Sequence, residues 1–279
     1  MLKRTPKERA WRSKPVRSFL QESIRVFKVP GLRRTAARLA VRLRVSAETA
    51  TATAFVRAQS RQILGIEDSL DFAFGFSVGS VSIAPAQIRS EIADLLATLA
   101  SNPPQRMLEV GTARGGTLFL FSRVADANAG LVTIDLPKGP FGGGYGRDRV
   151  PLLKALPRGG QTLKLIRSDS HAFGTLTEVR RWFGDEPLDF VFIDGDHAYD
   201  GVRRDFMMYG PLVRPSGLIA IHDIVPGRQD RVGGVPRFWQ EIASVSDNRE
   251  FVRDWNQGGF GIGVVELPAT GFDSCGFTR

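Results

Sequence analysis

From about residue 87 onwards, the sequence alternates between helical stretches and short apolar runs rich in Val, Ile, Leu and Phe. Five of these runs have the length of a strand: RMLEVG (106–111), LVTID (131–135), TLKLIRS (162–168), LDFVFID (188–194) and GLIAIHD (217–223). Apolar runs of this kind, separated by helices, are typical of parallel strands that are covered on both faces. The pattern therefore predicts an α/β fold with a mostly parallel sheet between two layers of helices.

The alternation ends near the close of the chain. The segment EFVRDW is followed by the turn sequence NQGG and the apolar run FGIGVVEL, which together predict an antiparallel hairpin. Sheets that bind dinucleotides usually continue with parallel strands instead. A parallel sheet that closes with a hairpin is thus a narrower prediction than a general doubly wound sheet.

The basic residues are concentrated at the start of the chain. Residues 1–61 hold 16 Lys and Arg and 3 acidic residues, and the remainder holds 22 basic and 26 acidic residues. Apolar residues recur at helical spacing over 16–27, and a second Arg-rich helical stretch covers about 32–44. We therefore divide the chain into a basic helical N-terminal extension, 1–61, and a main domain, 62–279.

The basic extension has several candidate partners. It can pack on its own domain or on a second subunit, and we expect the chain to form a homo-oligomer. The alternative is contact with an anionic membrane surface or a lipid-linked acidic substrate. Nucleic acid is disfavoured, because the extension lacks interleaved aromatic residues and the main domain is not basic.

The composition excludes several other classes of protein. Cys275 is the single cysteine, so neither a disulfide framework nor a cysteine-rich zinc site can form within one chain. There is no run of about 18 apolar residues, and the first twenty residues are too charged for a signal peptide. We expect a cytoplasmic protein, with peripheral contact at the inner membrane face as the alternative.

A glycine-rich segment, EVGTARGGT (109–117), follows the first predicted strand and begins the next helix. Glycines at this place let the backbone approach a ligand at the carboxyl end of the strand. The spacing is not G-x-G-x-x-G, and no Gly-Lys-Ser/Thr is present, which disfavours nicotinamide cofactors and nucleoside triphosphates. Asp135 ends the second strand and can accept hydrogen bonds from both ribose hydroxyls of an adenosine that crosses the glycine loop.

The segments EVGTARGGT, VTIDLP and FIDGDHAYDGVRRDF together resemble class I S-adenosylmethionine-dependent methyltransferases. Within that class, the chain is most similar to the group of macrolide-sugar O-methyltransferases and cephalosporin-hydroxylase-like proteins. The resemblance covers roughly residues 85–266. It implies a Rossmann-like methyltransferase sheet and Mg²⁺-assisted transfer of a methyl group to a hydroxyl of a sugar, a glycolipid or another secondary metabolite.

The same resemblance implies how S-adenosylmethionine is held. The glycine loop would contact its methionine part, the acid after the second strand its ribose, and the loop after the third strand its adenine. The residues at these positions are Glu109, Gly111, Thr112, Gly115, Asp135, Asp169 and Ser170.

All three histidines follow predicted strands: His171, His197 and His222. Because the carboxyl ends of parallel strands face one crevice, we expect these loops to converge near the glycine segment. Asp194 and Asp223 end the fourth and fifth strands, which we expect to be neighbours in the sheet. Two carboxylates that meet there would suit Mg²⁺, with further ligands from water and substrate oxygens.

The resemblance assigns roles within this group. It makes His197 the catalytic base, three residues after the metal-binding Asp194, and it places an acidic pair at the end of the fifth strand. Here that pair is His222 and Asp223, so the predicted metal ligands are Asp194, His222 and Asp223. The histidine in place of an acid leaves both the presence and the identity of the metal open.

Other residues near these positions have simpler interpretations. Asp196 is a turn residue, and Asp205 is expected to form surface ion pairs on the following helix. The glycine-rich FGGGYG (141–146) is either a lid over the substrate or a flexible connector. Metal-free transfer, N-methylation and a non-catalytic role stay open, whereas a hydroxylase is disfavoured because no iron triad is complete.

Overall fold

The computed structural model describes residues 30–59, 62–63, 65–137, 144–184, 186–274 and 276–277. The predicted helix over 16–27, the first half of the FGGGYG segment and Cys275 lie outside these residues. The chain divides into two compact units, Met1–Val45 and Ser46–Arg279.

The predicted helix over 32–44 is part of the longer helix α1, Pro30–Gln59. We expected it to end near Arg44, but the following segment is rich in alanine, which favours helix. In the first unit, Leu39 and Leu43 are 57% and 63% exposed. The boundary at residue 61 and the partner of the basic extension stay predictions.

The helices of the second unit, after α1, are α2 (Ile66–Gly75), α3 (Arg89–Ser101), α4 (Gly116–Val124), α5 (Val150–Leu153), α6 (Phe173–Phe183), α7 (Tyr199–Tyr209), α8 (Gln229–Val232) and α9 (Val235–Ala243). The strands are β1 (Ser77–Val78), β2 (Val81–Ser82), β3 (Arg106–Val110), β4 (Gly130–Asp135), β5 (Thr162–Arg167), β6 (Leu188–Ile193), β7 (Val213–His222), β8 (Asn248–Phe251) and β9 (Ile262–Glu266). No helix among the described residues has the length and apolar character needed to cross a membrane.

Seven strands form one sheet in the order β5-β4-β3-β6-β7-β9-β8. Strands β3 to β7 are parallel, and β9 runs antiparallel to both β7 and β8. The predicted parallel sheet with a closing hairpin is confirmed. The strand order reverses between β3 and β6, so the loops after these two strands border the crevice where open α/β sheets bind ligands.

Two apolar clusters cover the faces of the sheet, and β6 shows how its sequence serves both. Phe190 and Phe192 belong to the cluster that includes residues of α3 and α4, whereas Val191 and Ile193 belong to the cluster with α7 and α9. All four side chains are at most 1% exposed. Each such burial stabilises the fold by about 1.5–3 kcal/mol, which fixes β6 and the loop that follows it.

Candidate functional site

The glycine loop after β3 and the loop after β6 touch through their backbones. Gly111 has φ +99°, and a Cβ at this position would lie 2.0 Å from the carbonyl oxygen of Asp194. The amide of Asp194 donates to the carbonyl of Val110 at 2.8 Å. Only glycine fits this close approach and this backbone conformation without strain. Gly111 therefore lets the glycine loop after β3 contact the loop that carries Asp194.

A cleft opens between the loops after β3, β4 and β5. Among the residues predicted to bind the cofactor, Gly111, Asp135, Asp169 and Ser170 line it. The Oδ2 atom of Asp135 accepts the amide of Ala113 at 2.6 Å, and burial raises the pKa of this carboxyl. The carboxylate is thus fixed at the end of β4, facing the predicted ribose position.

The other three predicted cofactor residues, Glu109, Thr112 and Gly115, lie behind this cleft. The hydroxyl of Thr133 donates to Oε2 of Glu109 at 2.6 Å and lies 2.5 Å from the hydroxyl of Thr112. Gly115 starts α4 with φ +87°, and a Cβ there would lie 2.4 Å from Leu153. The side chains of Glu109 and Thr112 and the close packing at Gly115 support the glycine loop from the interior. The contact of these three residues with the cofactor stays a prediction.

Glu109 gives a pH-dependent prediction. Burial raises its pKa from 4.5 to about 8. Between these values the folded protein retains a proton that the unfolded chain releases, so this group makes stability fall as pH rises through the interval. We expect Glu109→Gln to remove this decrease in stability. The unfolding free energy of the variant minus that of the wild type should therefore be roughly 2–4 kcal/mol larger at pH 9 than at pH 5.

Urea denaturation at pH 5, 7 and 9 measures this difference. Glu186→Gln is the matched control, because the side chain of Glu186 is 68% exposed and should show no such trend. Equal pH dependence in wild type and Glu109→Gln would show that Glu109 is not protonated in the fold.

A second group of side chains meets at the ends of β6 and β7, which are paired in parallel as predicted. The Oδ1 atom of Asp194 lies 3.4 Å from Nε2 of His197 and 3.1 Å from Nδ1 of His222. Asp223 is 3.4 Å from His197 and 3.6 Å from His222. We call Asp194, His197, His222 and Asp223 the catalytic cluster, after the roles that the sequence predicts for them.

Charge within the catalytic cluster is balanced. Burial lowers the pKa of each histidine, but the carboxylates outweigh this effect and raise the pKa of both His197 and His222 to about 9. Burial also opposes ionisation of Asp194, yet the two imidazoles hold its pKa well below its usual range. Burial raises the pKa of Asp223, and the two imidazoles oppose this effect. Without a bound cation, the cluster therefore pairs two imidazolium groups with the carboxylate of Asp194 at neutral pH.

The ring of His197 is oriented by the backbone of a distant loop. Its Nδ1 atom hydrogen-bonds to the carbonyl oxygen of Arg231, which can only accept. This contact places a proton on Nδ1, so that in the neutral ring Nε2 carries the lone pair. Nε2 is the nitrogen that faces Asp194.

Gln87 also contacts the catalytic cluster, a contact that no motif in the sequence indicates. Its Nε2 donates to Oδ2 of Asp194 at 2.9 Å, and the residue is 6% exposed. The contact spans 107 positions in the chain. Gln87 reaches Asp194 because the loop before α3 packs near the carboxyl end of β6.

Next to the catalytic cluster, the backbone adopts conformations that side chains rarely take. Asp223 has φ +66° and Phe260 has φ +63°. The amide of Phe260 donates to Oδ1 of Asp223 at 3.0 Å, which ties the two positions together. Left-handed backbone at non-glycine residues is concentrated at functional sites.

A buried glutamate of α3 holds the loop that contains Phe260. Glu91 is 1% exposed, and its carboxylate accepts the amide of Gly261 at 2.9 Å, the side-chain amide of Gln257 at 2.7 Å and the amide of Arg253 at 3.0 Å. No motif in the sequence indicates this role for Glu91. Its three donors all belong to the segment 252–261, which we call the Phe260 loop.

Glu91→Ala is expected to leave these three donors without their acceptor and to loosen the Phe260 loop. Each buried unsatisfied group costs about 1–3 kcal/mol, so we expect a loss of roughly 2–4 kcal/mol in unfolding free energy after relaxation. Hydrogen exchange over 252–261 should accelerate. Asp94→Ala, on the exposed face of the same helix, is the control. Unchanged exchange in Glu91→Ala would show that the loop is held by other contacts.

A second cleft lies beside the first, and the catalytic cluster lies between them. Arg231, Val232 and Phe260 line it together with all four members of the cluster. Asp194 also lines the cofactor cleft. A methyl donor in the first cleft and an acceptor in the second would thus meet beside Asp194.

His171 lies near the glycine segment, as predicted for the loop after the third strand, but it is not part of the catalytic cluster. It lines the cofactor cleft, and its Nε2 lies 3.3 Å from Oδ1 of Asp205. The prediction that Asp205 forms surface ion pairs is wrong, because it is fully buried on the inner face of α7. Asp196 caps its turn as predicted, accepting the amide of Ala198 at 2.9 Å.

Comparison with known proteins agrees with this arrangement. Residues 108–224 match the family described as a methyltransferase domain. This part of the chain is therefore similar to methyltransferase domains. The matched range begins in β3 and ends just after Asp223, so it contains both the cofactor cleft and the catalytic cluster.

A curated relative and two solved structures are also similar to this chain. A 152-residue stretch, 53% of the chain, is 25% identical to the uncharacterized protein y4gI of Sinorhizobium fredii, and it spans only 16% of that protein. TomG of Streptomyces achromogenes, an O-methyltransferase in complex with S-adenosylmethionine, is 19% identical (73% of this chain, 89% of TomG, TM-score 0.49). An O-methyltransferase of Bacillus cereus is 18% identical (72% of this chain, 90% of that one, TM-score 0.48).

Proposed function

We propose that this protein is a methyltransferase that acts on oxygen. It would transfer the methyl group of S-adenosylmethionine to a hydroxyl of a sugar, a glycolipid or another secondary metabolite. A divalent cation would assist the transfer. The observation that carries the proposal is the meeting of two clefts at Asp194, with His197 on the acceptor side. This arrangement suits in-line transfer, in which the acceptor oxygen approaches the methyl carbon opposite the sulfur.

His197 would act as the general base. Its Nδ1 proton is held by the carbonyl of Arg231, so the neutral ring offers Nε2 to a hydroxyl in the acceptor cleft. As the oxygen–carbon bond forms, Nε2 takes the hydroxyl proton and the carbon–sulfur bond breaks. S-adenosylhomocysteine leaves as a neutral thioether, and His197 is left as imidazolium beside Asp194.

Asp194, His222 and Asp223 are the residues that would hold the cation. The donor atoms of Asp194, His197 and Asp223 all lie within 4.8 Å of one another, and Nδ1 of His222 lies 3.1 Å from Asp194 and 3.6 Å from Asp223, so the residues present fit a divalent ion. A bound cation would favour the ionised form of the acceptor hydroxyl. The Mg²⁺ predicted from the sequence stays a prediction.

Cofactor binding and turnover test the proposal in two steps. Isothermal titration of the full chain with S-adenosylmethionine should give one site per chain, and no binding by folded protein would refute the proposal. Labelled S-adenosylmethionine should then transfer methyl groups to members of a panel of sugars, glycolipids and phenols. His197→Ala should abolish transfer and keep cofactor binding.

A metal-free reaction is the second candidate, because the two imidazoles already neutralise the carboxylates of the catalytic cluster. With the pKa of His197 at about 9, the neutral base is scarce at pH 7, and turnover in EDTA should increase as pH rises towards 9. Full activity in EDTA at pH 7 would favour this candidate and contradict the assistance of a cation.

A further inference from the structure

The donor atoms of the catalytic cluster include nitrogens as well as oxygens. Nδ1 of His222 faces both acids, at 3.1 Å from Oδ1 of Asp194 and 3.6 Å from Oδ1 of Asp223. Ligands about 2.1 Å from one ion lie about 3.0 Å apart at octahedral angles and about 3.4 Å apart at tetrahedral angles. The distances from Nδ1 of His222 to the two acids are close to these values, and Asp194 and Asp223 also form, with His197, a group whose donor atoms all lie within 4.8 Å of one another.

The two histidines face the acids in different ways. His197 approaches Asp194 with Nε2 and Asp223 with Nδ1, and its Nδ1 is already bonded to Arg231. His222 presents a single nitrogen to both acids. Its ring lies near Phe192 and Phe260, with centroids 6.5 and 6.1 Å away, and its Nε2 is buried without a hydrogen-bond partner among the described residues. Each ring thus directs one nitrogen towards Asp194, Nε2 in His197 and Nδ1 in His222, and only Nδ1 of His222 approaches both acids with the same atom.

A buried amide beside the catalytic cluster also points to a missing ligand. Gln87 uses Nε2 to hold Asp194, while its Oε1 is buried with no hydrogen-bond partner among the described residues. A buried acceptor without a partner is costly unless a donor, a water or a cation completes it. Gln87 bonds Oδ2 of Asp194, whereas the two imidazoles approach Oδ1.

We propose that Asp194, His222 and Asp223 bind a transition-metal dication of the manganese-to-zinc series in preference to Mg²⁺. Mg²⁺ favours oxygen ligands and retains its waters, whereas imidazole nitrogen suits Mn²⁺, Fe²⁺, Co²⁺ and Zn²⁺. Replacing one acid of an oxygen-only set with His222 removes a negative charge, which weakens the attraction for Mg²⁺ most. This inference deepens the proposed function, because the ion would serve the same methyl transfer.

Co²⁺ is a suitable probe, since its visible absorption reports binding independently of turnover. The full chain, free of any histidine tag and stripped with EDTA, should bind one equivalent of Co²⁺. The spectrum should persist in a hundredfold excess of Mg²⁺. Displacement by equimolar Mg²⁺, or no Co²⁺ binding at 1 mM by protein that binds S-adenosylmethionine, would overturn the proposal. This comparison needs no variant.

Three variants test the assignment of the ligands. His222→Asp should weaken Co²⁺ binding by at least about tenfold and strengthen Mg²⁺ binding. His222→Ala should also weaken Co²⁺ binding, but it should not strengthen Mg²⁺ binding. His197→Ala should keep Co²⁺ binding within about threefold. Loss of Co²⁺ in His197→Ala with retention in His222→Ala would refute the assignment. Titration with S-adenosylmethionine is measured separately, so failure of the proposed function and failure of the metal proposal give different results.

Discussion

Asp194→Asn is expected to reduce methyl transfer by roughly 10³-fold while the protein stays folded. The substitution keeps the shape of the side chain and removes its charge. His197 and His222 lose the carboxylate that lies 3.4 and 3.1 Å from their nitrogens, and a cation would lose a ligand. Release of S-adenosylhomocysteine, measured with an acceptor that the wild type methylates, gives the rate.

The pKa of His197 should change together with the rate. The neighbouring carboxylates raise it to about 9, so the neutral amide should let it fall towards its ordinary value near 6.5. The residual activity of Asp194→Asn is therefore expected to depend less on pH above 7 than that of the wild type. Asp200→Asn, at an exposed position in the first turn of α7, is the control and should stay within about twofold. Near-wild-type transfer by Asp194→Asn would remove Asp194 from the mechanism.

Gly111→Ala is expected to destabilise the protein by about 3–5 kcal/mol and to abolish cofactor binding. The new Cβ would lie 2.0 Å from the carbonyl oxygen of Asp194, and the backbone is held at φ +99°. A side chain rotation cannot relieve this collision, because both partners are backbone. The β3–β6 pairing or the glycine loop must shift, and either shift changes the cofactor cleft.

Thermal unfolding should show a fall of roughly 10 °C in Tm for Gly111→Ala, and titration should show no binding of S-adenosylmethionine. Gly174→Ala is the matched control. A Cβ there meets nothing within 4 Å, and alanine favours the helix that contains it, so stability should be unchanged or slightly higher. Tight cofactor binding by Gly111→Ala would show that the loop tolerates a side chain.

The sheet could be predicted from the sequence because its strands are continuous apolar runs between helices. Strand β6 shows why the prediction succeeds. Its sequence, LDFVFI, supplies apolar residues to both faces of the sheet, which is typical of a strand that is covered on both sides. The end of α1 was missed because the alanine-rich segment after Arg44 has no clear apolar periodicity. Propensity and a few buried side chains decide such a segment, and neither is distinct in the sequence.

The catalytic cluster could be predicted only as far as strand ends allow. Asp194, His222 and Asp223 follow strands β6 and β7, whose neighbourhood follows from the order of a parallel sheet. Gln87 and Glu91 could not be assigned in the same way, because each reaches a residue more than 100 positions away. Such contacts depend on how the loop before α3 and the Phe260 loop pack against the sheet.

The sequence by itself determined the parallel sheet, its closing hairpin and the strand ends that carry the cofactor and cluster residues, because local periodicity and strand polarity specify these features. Only the tertiary structure decided which face each residue serves: Asp135 in the cofactor cleft, Glu109 behind it, Asp205 in the core. The same holds for the two histidines beside Asp194. The carbonyl of Arg231 orients the imidazole of His197, whereas the imidazole of His222 lies near Phe192 and Phe260. The two imidazoles therefore present different nitrogens to Asp194.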